Sequence, residues 1–404
     1  MILISFLFSL IFSAQAQTEF FKDLENFKGQ SLSLQTEKEN LEATSVNLLS
    51  KKLFWTPKVD VSVFQTQNGF NGDIVTDGNA WATDINLNIF KSGGDWNALQ
   101  AARADHRSQE LQVLNEALGV EVKASDLIFK SIYLSENRRI QEGLVKLKEE
   151  SLRIVKDRYG QGKLPLQEVT KSEVDLSQQV NKARLSALDM TENRSLIASL
   201  FVVEVGTKSW PFAESISSKP GNPNTFPLIE QKYWMAQSKE EIWKEARAGH
   251  GPSLDLKLRY TEAPLNERSN KEWQGFLTLS LPLWNRYETS AQVASAFSQR
   301  VAALNDFHST DQELRQKSLF LKEKVDISRL NLSEAKKNLD KARHLYQDIL
   351  KSFRLGRIST NDLFIEQNRL LESESTLAVS QLSFHQTLIE TCALAGFKAS
   401  DCLR

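Results

Sequence analysis

Breakers and extremes are scarce in this sequence. Lys and Arg total 50 against 51 Asp and Glu, a formal charge of −1 in 404 residues, so there is no basic surplus to neutralise a nucleic-acid backbone. Beyond the first dozen residues no apolar stretch reaches the ~18 that a membrane helix needs. Cys392 and Cys402 are the sole cysteines and stand close together near the C-terminus. They could pair in an oxidising compartment, but one tail bridge is no framework for a fold. The five histidines (His106, His250, His308, His344 and His385) show no metal-ligand spacing. No nucleophile–base constellation or phosphate loop is present, so neither an enzyme nor a cofactor is expected.

What is present begins with "MILISFLFSLIFSAQAQ". An apolar run from Ile2 to Phe12 precedes the small-x-small site Ala14-Gln15-Ala16. This reads as a secretory signal peptide over 1–16, although no Lys or Arg precedes the apolar run. No cysteine follows Ala16 to carry a lipid. A secreted chain without a membrane helix is either soluble or crosses a membrane as β-strands.

The nine prolines mark where helices cannot run. Four crowd into "WPFAESISSKPGNPNTFP", a linker at 210–227. From Glu288 to Leu355 neither proline nor glycine occurs across 68 residues. At ~1.5 Å per residue that is a helix on the order of 100 Å long. Residues 95–158 form its counterpart, with Gly119 and Gly143 as weak points. Helices of that length need partners along their course. Ile140, Leu144, Leu147, Ser151, Ile154 and Arg158 step by alternating fours and threes, a coiled-coil seam with polar breaks. Leu363, Leu370, Leu377 and Phe384 recur every seven residues, with Gln367, Glu374 and Gln381 between them. That pattern suits a helix packed sideways while another face meets water.

"RYGQG" at 158–162 is matched by "FRLGR" at 353–357, and Gly162 and Gly356 are 194 residues apart. Glycine after a last helical turn is the usual left-handed cap. Pro165 and Ser359, at the same offset, fit the start of the next helix, and Ser359 with Asp362 resembles a capping box. The chain therefore reads as a duplication of helical hairpins. Residues 17–209 give a helix, strands at about 57–67 and 81–90, the long helix at 95–158 and a helix at 165–204. Residues 228–404 repeat the series, with strands at about 252–261 and 273–284, the long helix at 288–355 and a helix at 359–395.

The strands alternate with period two. Val59, Val61 and Val63 stand against Lys58, Asp60 and Ser62; Ile85, Leu87 and Ile89 stand against Asp84, Asn86 and Asn88. In the second half Leu254, Leu256 and Leu258 alternate with Asp255, Lys257 and Arg259, while Leu277, Leu279 and Leu281 alternate with Thr278 and Ser280. A soluble sandwich also alternates. Here the apolar face carries no charge, the lengths match the ~9–11 residues that cross a bilayer, and 66–80 and 261–272 read as polar surface loops. Trp81, Phe90, Trp273 and Trp284 sit at strand ends, as an interfacial girdle requires. Four strands cannot close a conduit, and an open edge is not tolerated in lipid, so three chains giving twelve strands is the inference.

This order of elements resembles the TolC-type outer membrane efflux proteins. The resemblance is carried by "RYGQGKLPLQEVTKSEVDL", "FRLGRISTNDLFIEQNRLL", "INLNIFKSGG" and "LTLSLPLWNR", and by the duplication itself. It implies a mainly helical homotrimer with a shared twelve-stranded barrel in outer membrane lipid and a periplasmic tunnel. The two glycine turns, Gly162-Lys163 and Gly356-Arg357, would be the tips that meet a periplasmic membrane-fusion adaptor and an inner-membrane pump of RND or ABC type. Acidic residues past the second turn narrow the tunnel mouth in the family. Asp362 falls on such a position, with Glu168 its counterpart; one turn later Ile365 departs from the pattern and Glu366 is displaced by one. Glu168 and Asp362 are equally good first-turn acids for a helix dipole, and Arg158, Arg354 and Arg357 either complement helix C-termini or form a gating ion pair. A periplasmic coiled-coil adaptor or structural protein is the alternative, but an adaptor would have one hairpin rather than two.

Overall fold

The proline- and glycine-free stretch becomes a single helix. In the computed structural model, which describes residues 17–70, 73–201, 207–212, 216, 226–265, 268–283, 287–355 and 357–403, α6 runs Glu288–Arg354 and α3 runs Gly94–Gly160, each 67 residues long. Their starts and ends are each 194 positions apart. The helices that follow them, α4 (Leu166–Phe201) and α7 (Thr360–Leu394), begin at that same offset. Gly119 and Gly143 interrupt neither turn nor bond pattern in α3, because the flanking residues are strong helix formers and the ~1 kcal/mol cost of each glycine is spread over a long cooperative element.

Before the first strand the chain forms two helices where one was expected. Helix α1 covers 17–30 and α2 covers Leu32–Lys52. The break falls at Ser31, whose Oγ accepts from Leu34 N at 3.3 Å, a side-chain cap that starts the second helix. The signal segment at 1–16 and most of the linker lie outside the described residues. The remaining elements are β1 (Lys58–Phe70), β2 (Asp73–Lys91), α5 (Pro227–Ala248), β3 (Ser253–Leu265), β4 (Arg268–Ser280) and the short α8 (Ala399–Cys402).

Two compact units result. The first comprises residues to Gln35, Leu114–Phe226 and Leu314–Arg404. Its core gathers Phe20, Leu24 and Phe27 of α1, Ile128, Phe129 and Ile132 of α3, and Phe384, Leu388 and Ile389 of α7. Phe20 stacks on Phe129 at 5.2 Å and meets Phe212 of the linker edge-on at 5.3 Å. A disulfide between Cys392 and Cys402 closes the tail onto this core, and both cysteines are buried. Glu121 of α3 accepts from Ala399 N at 3.0 Å and also pairs with Lys28, which fixes the start of α8.

Further along α3, Ile140, Leu144 and Leu147 are buried against Phe364 and Leu371 of α7. Of the polar positions between the α7 heptads, Glu374 does not face water. It takes Arg139 of α3 at 2.8 Å and Arg343 of α6 at 3.8 Å, so α7 lies between two long helices and is pinned to both by charge. Helix α4 is held to α3 by amides, with Gln179 donating to Gln141 at 2.7 Å and Asn137 to Ser186 at 3.1 Å.

The second unit, Thr36–Val113 with Pro227–Glu313, holds the whole sheet. Its four strands are antiparallel in the order β1-β2-β3-β4, so the two hairpins meet through β2 and β3, which are distant in sequence, and β1 and β4 are left as open edges. The strands are longer than the sequence suggested. Residues 66–80 and 261–272, expected as loops, are largely ladder: Gln65 pairs with Asn79 and Thr66 with Gly78, while Glu262 pairs with Lys271. Polar and glycine-rich composition signals a turn, yet two strands already in register continue pairing because every further rung satisfies backbone donors and acceptors. At its other end β4 stops at Ser280, short of the expected 284, because Pro282 has no N–H to continue a ladder.

Candidate functional site

The outward face of the sheet can be followed row by row. Val59 aligns with Ile85, Leu258 and Gly275; Leu87 aligns with Leu256 and Leu277. Leu254 aligns with Leu279 and, across an irregularity at Asn88, with Phe90 in place of the expected Ile89; Ile89 and Phe90 are both exposed. Its members on the edge strands are exposed. Val61 is 69% exposed, Val63 74%, Leu277 66% and Leu279 71%. Leu281, expected as the next member, lies past the end of β4 and is also exposed.

The row Val61–Thr83–Tyr260–Trp273 changes character. Trp81 packs on Tyr260 at 5.1 Å and Tyr260 on Trp273 at 4.7 Å, three amphipathic rings side by side across three strands. One rung further, Lys271 and Glu262 form an ion pair at 3.8 Å. The apolar band thus ends in aromatics and then in charge, the order that a hydrocarbon-to-water boundary selects. Trp284, expected in such a girdle, lies outside the described residues. The opposite face carries Arg259 against Asp84 at 3.4 Å and Lys58 against Asp60 at 3.2 Å, with Phe276 among its polar residues.

The glycine turns belong to the helical unit. At the first, Lys163 N donates to Arg158 O at 2.9 Å and Gly162 N to Tyr159 O at 2.8 Å. Gly162 has φ +72°, a conformation that costs an L side chain strain. Together these are the paired bonds of a Schellman cap. Gly356 lies outside the described residues, but Arg357 N donates to Ser352 O at 3.0 Å, the same bond 194 residues on. Two dissimilar sequences therefore share this bond at the ends of their long helices. Lys163 and Arg357 are both exposed.

The second half-turn differs in its restart. Ser359 is the N-cap of α7: Asp362 N donates to Ser359 Oγ at 3.2 Å, and Ser359 N donates back to Asp362 Oδ2 at 3.1 Å. The capping box is complete, so the Asp362 carboxylate already has local work. Glu366 is paired along its own helix with Arg369 at 2.8 Å. Glu168 is exposed in the first turn of α4 and lines a groove of about 300 Å³ together with Leu147, Phe364 and Asn368. Asp362 and Glu366 do not line that groove.

One cluster had no signature in spacing. His385 of α7 is wholly buried among Phe129, Trp210, Phe212 and Phe384. Phe212 N donates to its Nε2 at 3.4 Å and its Nδ1 faces Gln381 O at 2.7 Å, which sets the neutral tautomer with the proton on Nδ1. Burial lowers its pKa to about 4, against the weaker opposing effect of these backbone contacts. Nearby, Trp210 Nε1 donates to Glu136 at 3.1 Å, and burial raises the Glu136 pKa. The cluster clamps the linker onto the hairpins. Among the described residues no group of three or more His, Cys, Asp or Glu could hold a metal ion.

No protein-family model and no curated protein matches the chain. Solved structures do. The Campylobacter jejuni CmeC outer membrane channel superposes with a TM-score of 0.79 at 14% identity, covering 95% of this chain and 87% of that one. The outer membrane protein VceC from Vibrio cholerae gives 0.78 at 12%, with 94% and 96% covered. The open state of the Neisseria gonorrhoeae MtrE outer membrane channel gives 0.76 at 14%, with 94% and 89% covered. The chain therefore has the fold of the TolC-type outer membrane channels over nearly its whole length.

Proposed function

We propose that this chain is the protomer of a homotrimeric outer membrane channel-tunnel, a passive duct for export that a periplasmic membrane-fusion adaptor and an inner-membrane pump of RND or ABC type engage. The observation that carries the reading is the sheet. It has a broad apolar band on one face, with Val61, Val63, Leu277 and Leu279 exposed, and two open edges. An apolar face of that size needs lipid, and open edges in lipid need other chains, so three copies closing twelve strands satisfy both demands together. The shared fold with the channels of Campylobacter, Vibrio and Neisseria supports it.

In this reading Val59, Ile85, Leu256 and Leu277 and their row-mates meet outer membrane lipid. The helical unit is the periplasmic tunnel, and the turns at Gly162-Lys163 and Gly356-Arg357 are the adaptor-docking tips. Glu168, Asp362 and Glu366 stand near the tunnel mouth, where copies around a threefold axis would concentrate negative charge; the Arg369 partner of Glu366 weakens its share. Mass measurement of the purified protein in detergent tests the reading. A trimer that precipitates when detergent is removed is expected, and a monodisperse monomer stable without detergent overturns it.

A further inference from the structure

At the helix-side end of the sheet, three large apolar residues in succession occupy an exposed turn. Leu53, Phe54 and Trp55 are 46%, 37% and 65% exposed. The turn is not slack, for Thr56 donates to Leu53 O through both its backbone N at 2.9 Å and its Oγ1 at 2.7 Å. Lys51 and Lys52 close α2 immediately before it, and β1, an edge strand, begins three residues after Trp55. At corresponding ends of the other strands stand Trp96, in the first turn of α3 and 56% exposed, and Tyr287, directly before α6 and 68% exposed.

A water-facing turn gains nothing from Leu-Phe-Trp. The spacing gives the group a meaning. Trp55 is six residues from Val61, whose row contains Tyr260 and Trp273, and Phe90 is nine from Trp81. At ~3.4 Å per residue those nine span about 30 Å along the strand, or about 23 Å of height at a tilt of ~40°, close to the ~25 Å of a membrane barrel's apolar band. Strand β1 begins at Lys58, opposite Asn86, so the turn before it lies near the level of Phe90. Trp81, Tyr260 and Trp273 bound one side of the band; the Leu53–Trp55 turn, Trp96 and Tyr287 stand at the other.

We propose that the Leu53–Trp55 turn is a membrane-interface anchor, inserting Phe54 and Trp55 at the headgroup–acyl boundary of the near leaflet while Lys51 and Lys52 meet phospholipid phosphates. The inference rests on the barrel reading and extends it to a segment outside the strands. Indole and lysine are the side chains that this boundary attracts, the one for its amphipathic ring and the other for its charge on a long stem.

The full-length trimer allows a direct test. Both native cysteines are in the buried disulfide, so Trp55→Cys, and independently Phe54→Cys, each offer a single thiol for an environment-sensitive fluorophore. Leu277→Cys supplies a probe in the middle of the apolar band. The labelled proteins are reconstituted in phosphatidylethanolamine–phosphatidylglycerol vesicles containing phospholipid brominated either near the carbonyl or deep in the acyl chain. The probe at position 55 is expected to lose more than about half its emission to the shallow bromines and less to the deep ones, as an interfacial depth of ~5–10 Å requires; the probe at 277 is expected to respond chiefly to the deep ones. Quenching at 55 by aqueous iodide but not by bromolipid, with 277 still lipid-quenched, overturns the anchor and spares the barrel. Protection of 55 from both quenchers assigns the turn to a contact between copies and equally overturns it. Loss of lipid quenching at both positions ends the barrel reading as well.

Discussion

Phe129 and Leu279 are both large apolar side chains, and the chain treats them in opposite ways. Phe129 in the helical unit is 0% exposed, stacked on Phe20 and meeting the His385 ring edge-on, whereas Leu279 on the sheet is 71% exposed. The helical unit closes this core within the chain through α1, α3, α7 and the linker, while Leu185, Leu188, Phe320 and Leu330 on other helix faces stay exposed. The sheet leaves Val and Leu of its edge strands exposed while pairing Arg259 with Asp84 on its opposite face. The two regions differ in whether such a side chain is covered within its own unit.

Two substitutions break that comparison most sharply. Phe129→Ala removes a ring from a closed core and should cost about 3–5 kcal/mol, read as a lowered unfolding midpoint of the helical unit, while the protein still enters membranes. Leu279→Arg should do the reverse. At about 2–4 kcal/mol for each copy near the bilayer midplane it should block membrane assembly and leave unfolding of the helical unit unchanged, and Thr278→Ser on the opposite face should be silent. Equal effects of Leu279→Arg and Thr278→Arg on assembly would show that the sheet is not lipid-facing.

The helical core also carries a pH signature. His385 has an ordinary pKa near 6.5 when unfolded and about 4 when folded. Between these values the unfolded chain binds a proton that the folded chain refuses, so stability falls as pH drops from about 6.5 towards 4, by about 3 kcal/mol in all. His385→Gln should flatten that part of the profile. The measurement is the difference between wild-type and variant denaturation midpoints at pH 7 and pH 4.5, which cancels the carboxylates common to both. Parallel profiles would mean that the imidazole is not held neutral by the aromatic cluster.

Sequence and structure agree where the physics is local. Long helices follow from missing breakers, and the turn at Gly162 follows from the need for a left-handed residue. The face of the sheet follows from alternation, since one residue's shift would have turned every leucine inward. The misses are matters of partnership. Residues 66–80 read as loop because Asn, Gly and Asp favour turns, and only pairing with β1 makes most of them strand. Glu374 read as a water-facing break in a heptad, and only the two arginines on other helices show why it is there. His385 had no spacing to betray it, because its box is assembled from α3, α7 and the linker, distant in sequence. Ser359 and Asp362 stand between these cases: the box was legible as a local motif, whereas any role at a channel mouth depends on copies of the chain.

Asp362 is therefore where the comparison can be sharpened most finely. Its carboxylate is satisfied within the chain by Ser359 N and Oγ, as the core is, yet it remains exposed, as the sheet face is. The two roles separate by substitution. Asp362→Asn keeps an acceptor for the cap and removes the charge; Ser359→Ala removes half of the cap and keeps the charge. If three copies of Asp362 surround a tunnel mouth, Asp362→Asn should raise single-channel conductance in planar bilayers and weaken block by multivalent cations, because like charges held close attract such ions. Ser359→Ala should then leave block unchanged and cost about 1 kcal/mol of local helix stability, seen as faster amide exchange in the first turn of α7. The opposite pattern, with conductance indifferent to Asp362→Asn while amide exchange responds to both changes, would assign the carboxylate to the helix alone and remove it from the mouth.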